Sequence, residues 1–159
     1  KETPFHPEYY YGEFSLPGRR MNTSRGWEIY PQIMYDMAMR LKSEYGNIPW
    51  FIAESGMGIE QEERFADSKG TIQDDYRIAY ITEHLNSLLD AVKDGANCNG
   101  YMLWAFTDCV SPMNAFKNRY GLVRIDLEDD KKRSLKQSAY WYRDLIQSKR
   151  LEVAEHTYK

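Results

Sequence analysis

Two short apolar runs on either side of one long amphipathic segment constrain the fold of this chain more than any other feature. Residues 50–53 are apolar and lead directly into Glu54, and residues 100–106 form the second run. Runs of this length bounded by turn signals are typical of buried parallel strands. The residues between them place apolar side chains on one helix face: Ile78, Ile81, Leu85, Leu88, Leu89 and Val92. Strand, helix and strand in this order predict a parallel βαβ unit.

Two further helices are predicted outside this unit. Residues 26–31 (GWEIYP) are predicted to open the first, because a proline suits the first helical turn, and Gly46 follows its last apolar residue. Its apolar face contains Ile33, Met34, Met37, Ala38, Leu41 and Tyr45. The last helix carries Leu135, Ala139, Tyr142, Leu145 and Ile146 on one face. Before it, residues 120–126 predict a short strand and residues 128–134 a charged turn.

The chain has 159 residues, about the length of one domain. Two parallel strands cannot form a sheet that is covered on both faces, because each strand needs parallel neighbours. We therefore expect this α/β chain to be a piece of a larger protein. Residues 1–26 have no periodicity and are predicted to be an irregular loop, residues 27–147 carry the predicted elements, and residues 148–159 form a polar tail.

Composition excludes several classes of function. The formal net charge is −3, which does not suggest binding to nucleic acid or to an anionic membrane. No run is long enough to span a membrane, and the first residues lack the apolar core of a signal peptide. Cys98 and Cys109 have no metal-ligand spacing and fit a reducing compartment, so we expect a cytoplasmic protein. The histidines are scattered without metal spacing: His6, His84 and His156.

Two long polar loops follow the predicted strands at their carboxyl ends, where α/β proteins place their chemistry. The first starts at Glu54, a charge that is costly at a buried strand end unless it has a partner or a role. The second follows Trp104 and carries Asp108, Ser111, Lys117, Asn118, Arg119 and Tyr120. A carboxylate and an indole on one rim are typical of a carbohydrate site, in which the carboxylate attacks or stabilises an oxocarbenium-like centre. The alternatives are a solvated Glu54, a core Trp104 and a solvated charge cluster at 117–119.

Six segments follow one another along the chain: GWEIYP, FIAESG, DDYRIAYITEHL, GYMLWAFTD, KNRYGLVRID and SAYWYRDLI. Taken together and in this order, they resemble the C-terminal part of glycoside hydrolase family 1. The family includes β-glucosidases, 6-phospho-β-glucosidases and 6-phospho-β-galactosidases. The resemblance implies a (β/α)8 TIM barrel, of which this chain supplies strands seven and eight with their flanking helices. It implies no cofactor and no metal. The expected partners are a small-molecule β-glucoside, the remainder of the barrel, or further copies of this chain through self-association.

The resemblance also implies roles for single residues. Glu54 matches the catalytic nucleophile of a retaining, double-displacement mechanism, and Trp104 matches the tryptophan beneath the sugar at the cleavage point. The acid/base glutamate of the family lies in an Asn-Glu-Pro motif, which does not occur in this sequence. Ser55 stands where the family usually has Asn. Because the acid/base residue and most of the barrel are missing from this chain, we expect the isolated chain to have no glycosidase activity.

Ser111 indicates the class of substrate, because ordinary family members have Glu there and phospho-glycosidases have Ser. A carboxylate repels a phosphate dianion, whereas a hydroxyl can donate to it. Tyr120 matches the tyrosine that accompanies this serine, but the family's lysine is replaced by Asn118, with Lys117 one position earlier. Either the loop bulges to present Lys117, or Asn118 donates a neutral hydrogen bond, or the phosphate site is weakened. Pro112 stands where phospho-galactosidases have Trp, which favours a gluco-type substrate.

The leading hypothesis is therefore a fragment of a cytoplasmic 6-phospho-β-glucosidase. The alternatives are an unphosphorylated-substrate β-glucosidase or β-galactosidase and a 6-phospho-β-galactosidase. A non-catalytic carbohydrate-binding module is a further alternative, although binding alone would not require a carboxylate at position 54.

Overall fold

The computed structural model describes residues 16–151, which form an α/β arrangement of three helices and eight short strands. The helices are α1 (Ile33–Glu44), α2 (Asp75–Lys93) and α3 (Gln137–Ser148). The strands are β1 (Met21–Asn22), β2 (Trp27–Glu28), β3 (Trp50–Ser55), β4 (Ile59–Glu60), β5 (Cys98–Leu103), β6 (Asn118–Arg119), β7 (Val123–Ile125) and β8 (Arg133–Leu135). The predictions for residues 1–15 and 152–159 lie outside the described residues.

The predicted βαβ unit is confirmed. Strands β3 and β5 pair in parallel, with Trp50 opposite Cys98 and Ser55 opposite Leu103, and α2 is the crossover between them. The predicted second strand is shifted, because β5 ends at Leu103 rather than at Phe106. The Trp104 N–H donates the last hydrogen bond to β3, at the Ser55 carbonyl. The Ala105 N–H donates instead to the Tyr120 carbonyl, so the chain leaves the sheet after Leu103.

Small residues allow α1 and α2 to pack closely. Ala38, Ala91 and Ala96 are buried together, and the partly buried side chains around them are Tyr35, Met39 and Trp50. Gly46 has a φ of +70°, as expected for a residue that ends a helix. The Asn47 side chain then donates to the carbonyl of Gly95 at 2.9 Å and fixes the end of α1 against the end of α2.

Three predictions of local structure are wrong. Residues 26–31 do not open α1, because Trp27–Glu28 pairs antiparallel with Met21–Asn22 and the helix begins only at Ile33. The hairpin so formed reaches into residues 1–26, which we predicted to be irregular. Leu135 lies in β8 opposite Val123, rather than on the last helix. In each case a pairing with another strand decided the outcome, and periodicity along the chain does not reveal such a pairing.

Large apolar side chains on the central strands are exposed. Phe51 and Met102 are 57% and 52% exposed, and Phe106, just beyond β5, is 73% exposed. Such residues are expected to be covered in a parallel sheet. None of the helices in residues 16–151 is long and apolar enough to cross a membrane.

Candidate active site

A cavity of about 550 Å³ lies at the carboxyl ends of β3 and β5. Four of the six predicted site residues line it: Glu54, Trp104, Ser111 and Tyr120. Its wall also includes residues for which the sequence predicted no role in the site: Arg25, Trp27, Glu28, Tyr30, Tyr80 and Cys109, among others. The two loops predicted to converge therefore do meet at one site.

Glu54 is exposed to this cavity near the end of β3. No ion pair or hydrogen bond engages its carboxylate within residues 16–151, so the group is available to a ligand. The backbone holds this edge tightly, because the Trp104 N–H donates to the Ser55 carbonyl at 2.9 Å. A Cβ at Gly56 would lie 1.7 Å from the carbonyl oxygen of Trp104, so only glycine fits there. The Glu54 carboxylate and the Trp104 indole thus lie on the same tightly held edge of the cavity. Trp104 is 43% exposed.

Two phenols lie close to the hydroxyl of Ser55, the residue that follows Glu54 in β3. Burial raises the pKa of both Tyr80 and Tyr101, and the adjacent Ser55 hydroxyl lowers each pKa by less. Both phenols therefore stay protonated at neutral pH and bring no second negative charge to the nucleophile candidate.

The loop after β5 presents Ser111 and Tyr120 to the cavity. Ser111 exchanges two backbone hydrogen bonds with Ala115, both of 2.8 Å, which closes a tight turn. Its hydroxyl oxygen accepts a bond from the Met113 N–H at 3.3 Å, so its proton can be donated elsewhere. Tyr120 is buried against Gly58, where a Cβ would lie 2.5 Å from the ring.

The other two predicted site residues do not line the cavity. Lys117 is exposed and forms an ion pair with Glu60 at 3.2 Å. Asn118 is fully buried in β6, and neither polar atom of its amide has a hydrogen-bond partner among the described residues. The structure therefore brings together Glu54, Trp104, Ser111 and Tyr120 but leaves both candidates for the family's lysine outside.

A buried ionic network that sequence reasoning missed supports the two loops from behind. The Arg77 guanidinium pairs with Asp74 at 2.8 Å and with Glu62 at 2.9 Å. Lys136 pairs with the same Glu62 at 2.6 Å and with Asp108 at 2.9 Å. All five side chains are at most 1% exposed. The available signal was the spacing of Asp74 and Arg77 at the start of α2, where three residues bring an acid and a base together.

Arg77 also links α2 to the cavity wall. Its guanidinium donates to the carbonyl of Met57, three residues after Glu54, and to the carbonyl of Tyr120 at 2.8 Å. Burial lowers the pKa of Arg77, but the neighbouring Tyr76, Asp74 and Glu62 raise it by more, so the guanidinium stays charged.

His84, for which the sequence indicated no metal site, lines the cavity from α2 and is buried. Its ring stacks on Tyr80 with centroids 3.9 Å apart, and its Nδ1 donates to the Tyr80 carbonyl at 2.7 Å. Burial lowers its pKa, which favours the neutral ring. Within residues 16–151, no group of three His, Cys, Asp or Glu residues could hold a metal ion.

Residues 14–151 match the sequence profile of glycosyl hydrolase family 1, and the chain belongs to this family. It is 49% identical over 156 residues to the 6-phospho-beta-glucosidase GmuD of Bacillus subtilis strain 168, covering 98% of this chain and 32% of that protein. It is 43% identical over 131 residues to the 6-phospho-beta-galactosidase of Staphylococcus aureus strain JH9, covering 82% of this chain and 27% of that protein.

A solved family 1 β-glucosidase from Thermotoga maritima superimposes with a TM-score of 0.79 and 28% identity. The superposition covers 88% of this chain and 30% of that one. The described fold is thus part of a (β/α)8 barrel, as the resemblance implied, and the chain spans about a third of the length of the relatives it matches.

Proposed function

We propose that this chain is the C-terminal part of a retaining 6-phospho-β-glucosidase in which Glu54 is the nucleophile. The observation that carries the proposal is the shared cavity, where an unpaired carboxylate faces Trp104, Ser111 and Tyr120. The name of the Bacillus subtilis relative supports this class of substrate.

In the proposed reaction, a Glu54 carboxylate oxygen attacks the anomeric carbon of the sugar as the bond to the aglycone oxygen breaks. An acid group on the remainder of the barrel, about 5–5.5 Å from Glu54, protonates the departing oxygen. The resulting glycosyl ester is hydrolysed by water, and the same group then takes the proton from that water. The Trp104 indole supplies an apolar face for the sugar ring.

The phosphate would be received on the side of the cavity that Ser111 and Tyr120 line. Both side chains offer a hydroxyl proton, which complements phosphate oxygens. Pro112, which also lines the cavity, favours a gluco-type sugar over a galacto-type sugar. Because phosphorylated sugars are produced inside cells by sugar-phosphorylating transporters, we propose a cytoplasmic location.

A second candidate function is an ordinary β-glycosidase that acts on unphosphorylated sugars. Lys117 turns outward to Glu60, and Asn118 lies outside the cavity, so the loop brings no cation to a phosphate. The similarity to the Thermotoga maritima β-glucosidase is compatible with this alternative.

The full-length enzyme would be tested with a pair of aryl β-glucosides that differ only in the 6-phosphate. We expect kcat/KM to favour the phosphorylated substrate by several orders of magnitude. Equal or reversed preference would support the ordinary glycosidase. Glu54→Gln should reduce kcat by at least about 10³-fold on either substrate, because a group essential to the chemistry is removed. Sugar binding without turnover in the wild-type protein would instead indicate a binding module.

A further inference from the structure

A phosphate bound beside Ser111 and Tyr120 would need a cation, and the loop that carries them does not provide one. Lys117 is 65% exposed and held by Glu60, and Asn118 is neutral and outside the cavity wall. A doubly charged phosphate left in a cavity with only neutral donors would be poorly compensated. Arg119 of the same loop does not line the cavity either, so a cation supplied by residues 16–151 must come from another element.

Arg25 lines the same cavity as Ser111 and Tyr120. It lies at the turn of the β1–β2 hairpin, where the N–H groups of Arg25 and Gly26 both donate to the Asn22 carbonyl, at 3.1 and 2.7 Å. Gly26 has a φ of +71°, which permits this tight turn. The hairpin that the sequence did not predict thus delivers a guanidinium to the site.

The position of Arg25 is fixed from two directions. Its guanidinium lies over the Trp27 ring, 4.3 Å from the centroid. The hairpin is anchored to the segment after Glu54, because the Asn22 side chain donates to the Gly58 carbonyl at 2.9 Å. The Ser24 hydroxyl accepts a hydrogen bond from the Glu60 N–H, two residues further along that segment, at 3.1 Å.

No carboxylate among the described residues neutralises the charge of Arg25. No carboxylate within residues 16–151 forms an ion pair with it, and its Nε is shielded from solvent without a hydrogen-bond partner. Of the two carboxylates that line the cavity, Glu28 is paired with Arg19, and Glu54 is the proposed nucleophile. Burial raises the pKa of the Tyr120 phenol, and the nearby positive charge of Arg25 lowers it by less.

We infer that Arg25 is the cation that recognises the 6-phosphate of the substrate, together with the hydroxyls of Ser111 and Tyr120. A guanidinium can give two parallel N–H bonds to phosphate oxygens, which a lysine ammonium does in a less fixed geometry. Arg25 then supplies the positive charge that the family's lysine would supply and that Asn118 lacks. This inference rests on the proposed function.

The test compares Arg25→Met, Arg25→Lys and the matched control Arg40→Met in the full-length enzyme. Arg40 lies on α1, where it is exposed and paired with Glu44. For each variant, kcat/KM is measured on an aryl 6-phospho-β-glucoside and on the unphosphorylated aryl β-glucoside. The ratio of the two should fall at least about 30-fold in Arg25→Met, mainly through KM of the phosphorylated substrate. Arg25→Lys should recover part of the ratio, and Arg40→Met should keep it.

The experiment distinguishes failure of the proposed function from failure of the inference about Arg25. A wild-type enzyme with no preference for the phosphorylated substrate would overturn the proposed function and this inference with it. A wild-type preference that survives in Arg25→Met would overturn the inference alone. An equal loss on both substrates, or a loss that Arg25→Lys does not relieve, would assign Arg25 a structural role and would also overturn it.

Discussion

The guanidinium of Arg77 donates a hydrogen bond to the main-chain carbonyl of Tyr120 at 2.8 Å. This bond connects the crossover helix to the loop that carries the proposed phosphate-binding phenol. The same carbonyl accepts the Ala105 N–H at 3.2 Å, next to the Trp104 indole that we propose faces the sugar. The Tyr120 carbonyl therefore ties Arg77 on α2 to Ala105, the residue that follows Trp104.

Removal of the Arg77 charge should strongly destabilise the full-length enzyme. Arg77→Met would leave Glu62 and Asp74 buried with less compensation, which costs about 3–5 kcal/mol for a broken buried pair. Urea denaturation would measure the loss in the free energy of unfolding. Arg40→Met, which removes an exposed pair with Glu44, should change it by less than about 0.5 kcal/mol. Similar losses in the two variants would contradict a central role for the network.

The contact between Gly58 and Tyr120 should affect substrate selectivity. In Gly58→Ala, the new methyl group would lie 2.5 Å from the Tyr120 ring, so the ring must move. We expect the preference for the phosphorylated substrate to fall by about tenfold, comparable to the loss of one hydrogen bond to a charged group. Steady-state kinetics on the paired aryl glucosides would measure it.

Tyr120→Phe provides the control for that experiment. If Gly58→Ala acts by displacing the phenol, its effect on selectivity should largely disappear in the Tyr120→Phe background, because coupled residues are not additive. Additive losses from the two substitutions would show that Gly58→Ala acts elsewhere.

His84 should make stability depend on pH. Burial lowers its pKa in the folded state, so the unfolded state binds the proton more readily below the ordinary value of about 6.5. The contribution of His84 to stability is therefore present above about pH 6.5 and is lost as the pH falls through the lower folded pKa. His84→Gln should flatten the dependence of unfolding free energy on pH between about 5 and 7. An unchanged slope would mean that the ring accepts a proton in the folded state without cost.

The isolated chain should self-associate and should have no glycosidase activity. Its exposed apolar side chains include Phe51, Met102 and Phe106 on or beside the central strands, and open strands with apolar faces associate readily. Light scattering should show oligomers, and Phe51→Ser with Met102→Ser should reduce them. A clean monomer, or turnover by the purified chain, would contradict this prediction.

The sequence predicted the parts of the molecule that depend on local periodicity. The βαβ unit, the three helices and the position of Glu54 at a strand end follow from patterns within about 20 residues. It did not predict the pairing of β1 with β2, and so it missed Arg25, whose proposed role depends on a hairpin that is anchored to the Gly58 carbonyl. The network of Arg77, Glu62 and Lys136 was missed for the same reason, since its members are brought together only by tertiary packing.

Lys117 and Asn118 show the limit of position-by-position comparison. Both were candidates for one family lysine, yet the antiparallel pairing of β6 with β4 turns Lys117 toward Glu60 and buries Asn118. The direction of each side chain depends on the register of this two-residue pair, which the sequence alone does not fix.

The most direct test of the account is covalent trapping on the full-length enzyme. A 2-deoxy-2-fluoro-β-glucoside with a good leaving group forms the glycosyl ester and hydrolyses it slowly, so the modified residue can be identified by peptide mass spectrometry. The account predicts labelling of Glu54, much faster with the 6-phosphorylated reagent than with the unphosphorylated one. Labelling of another residue, or equal rates with the two reagents, would contradict it.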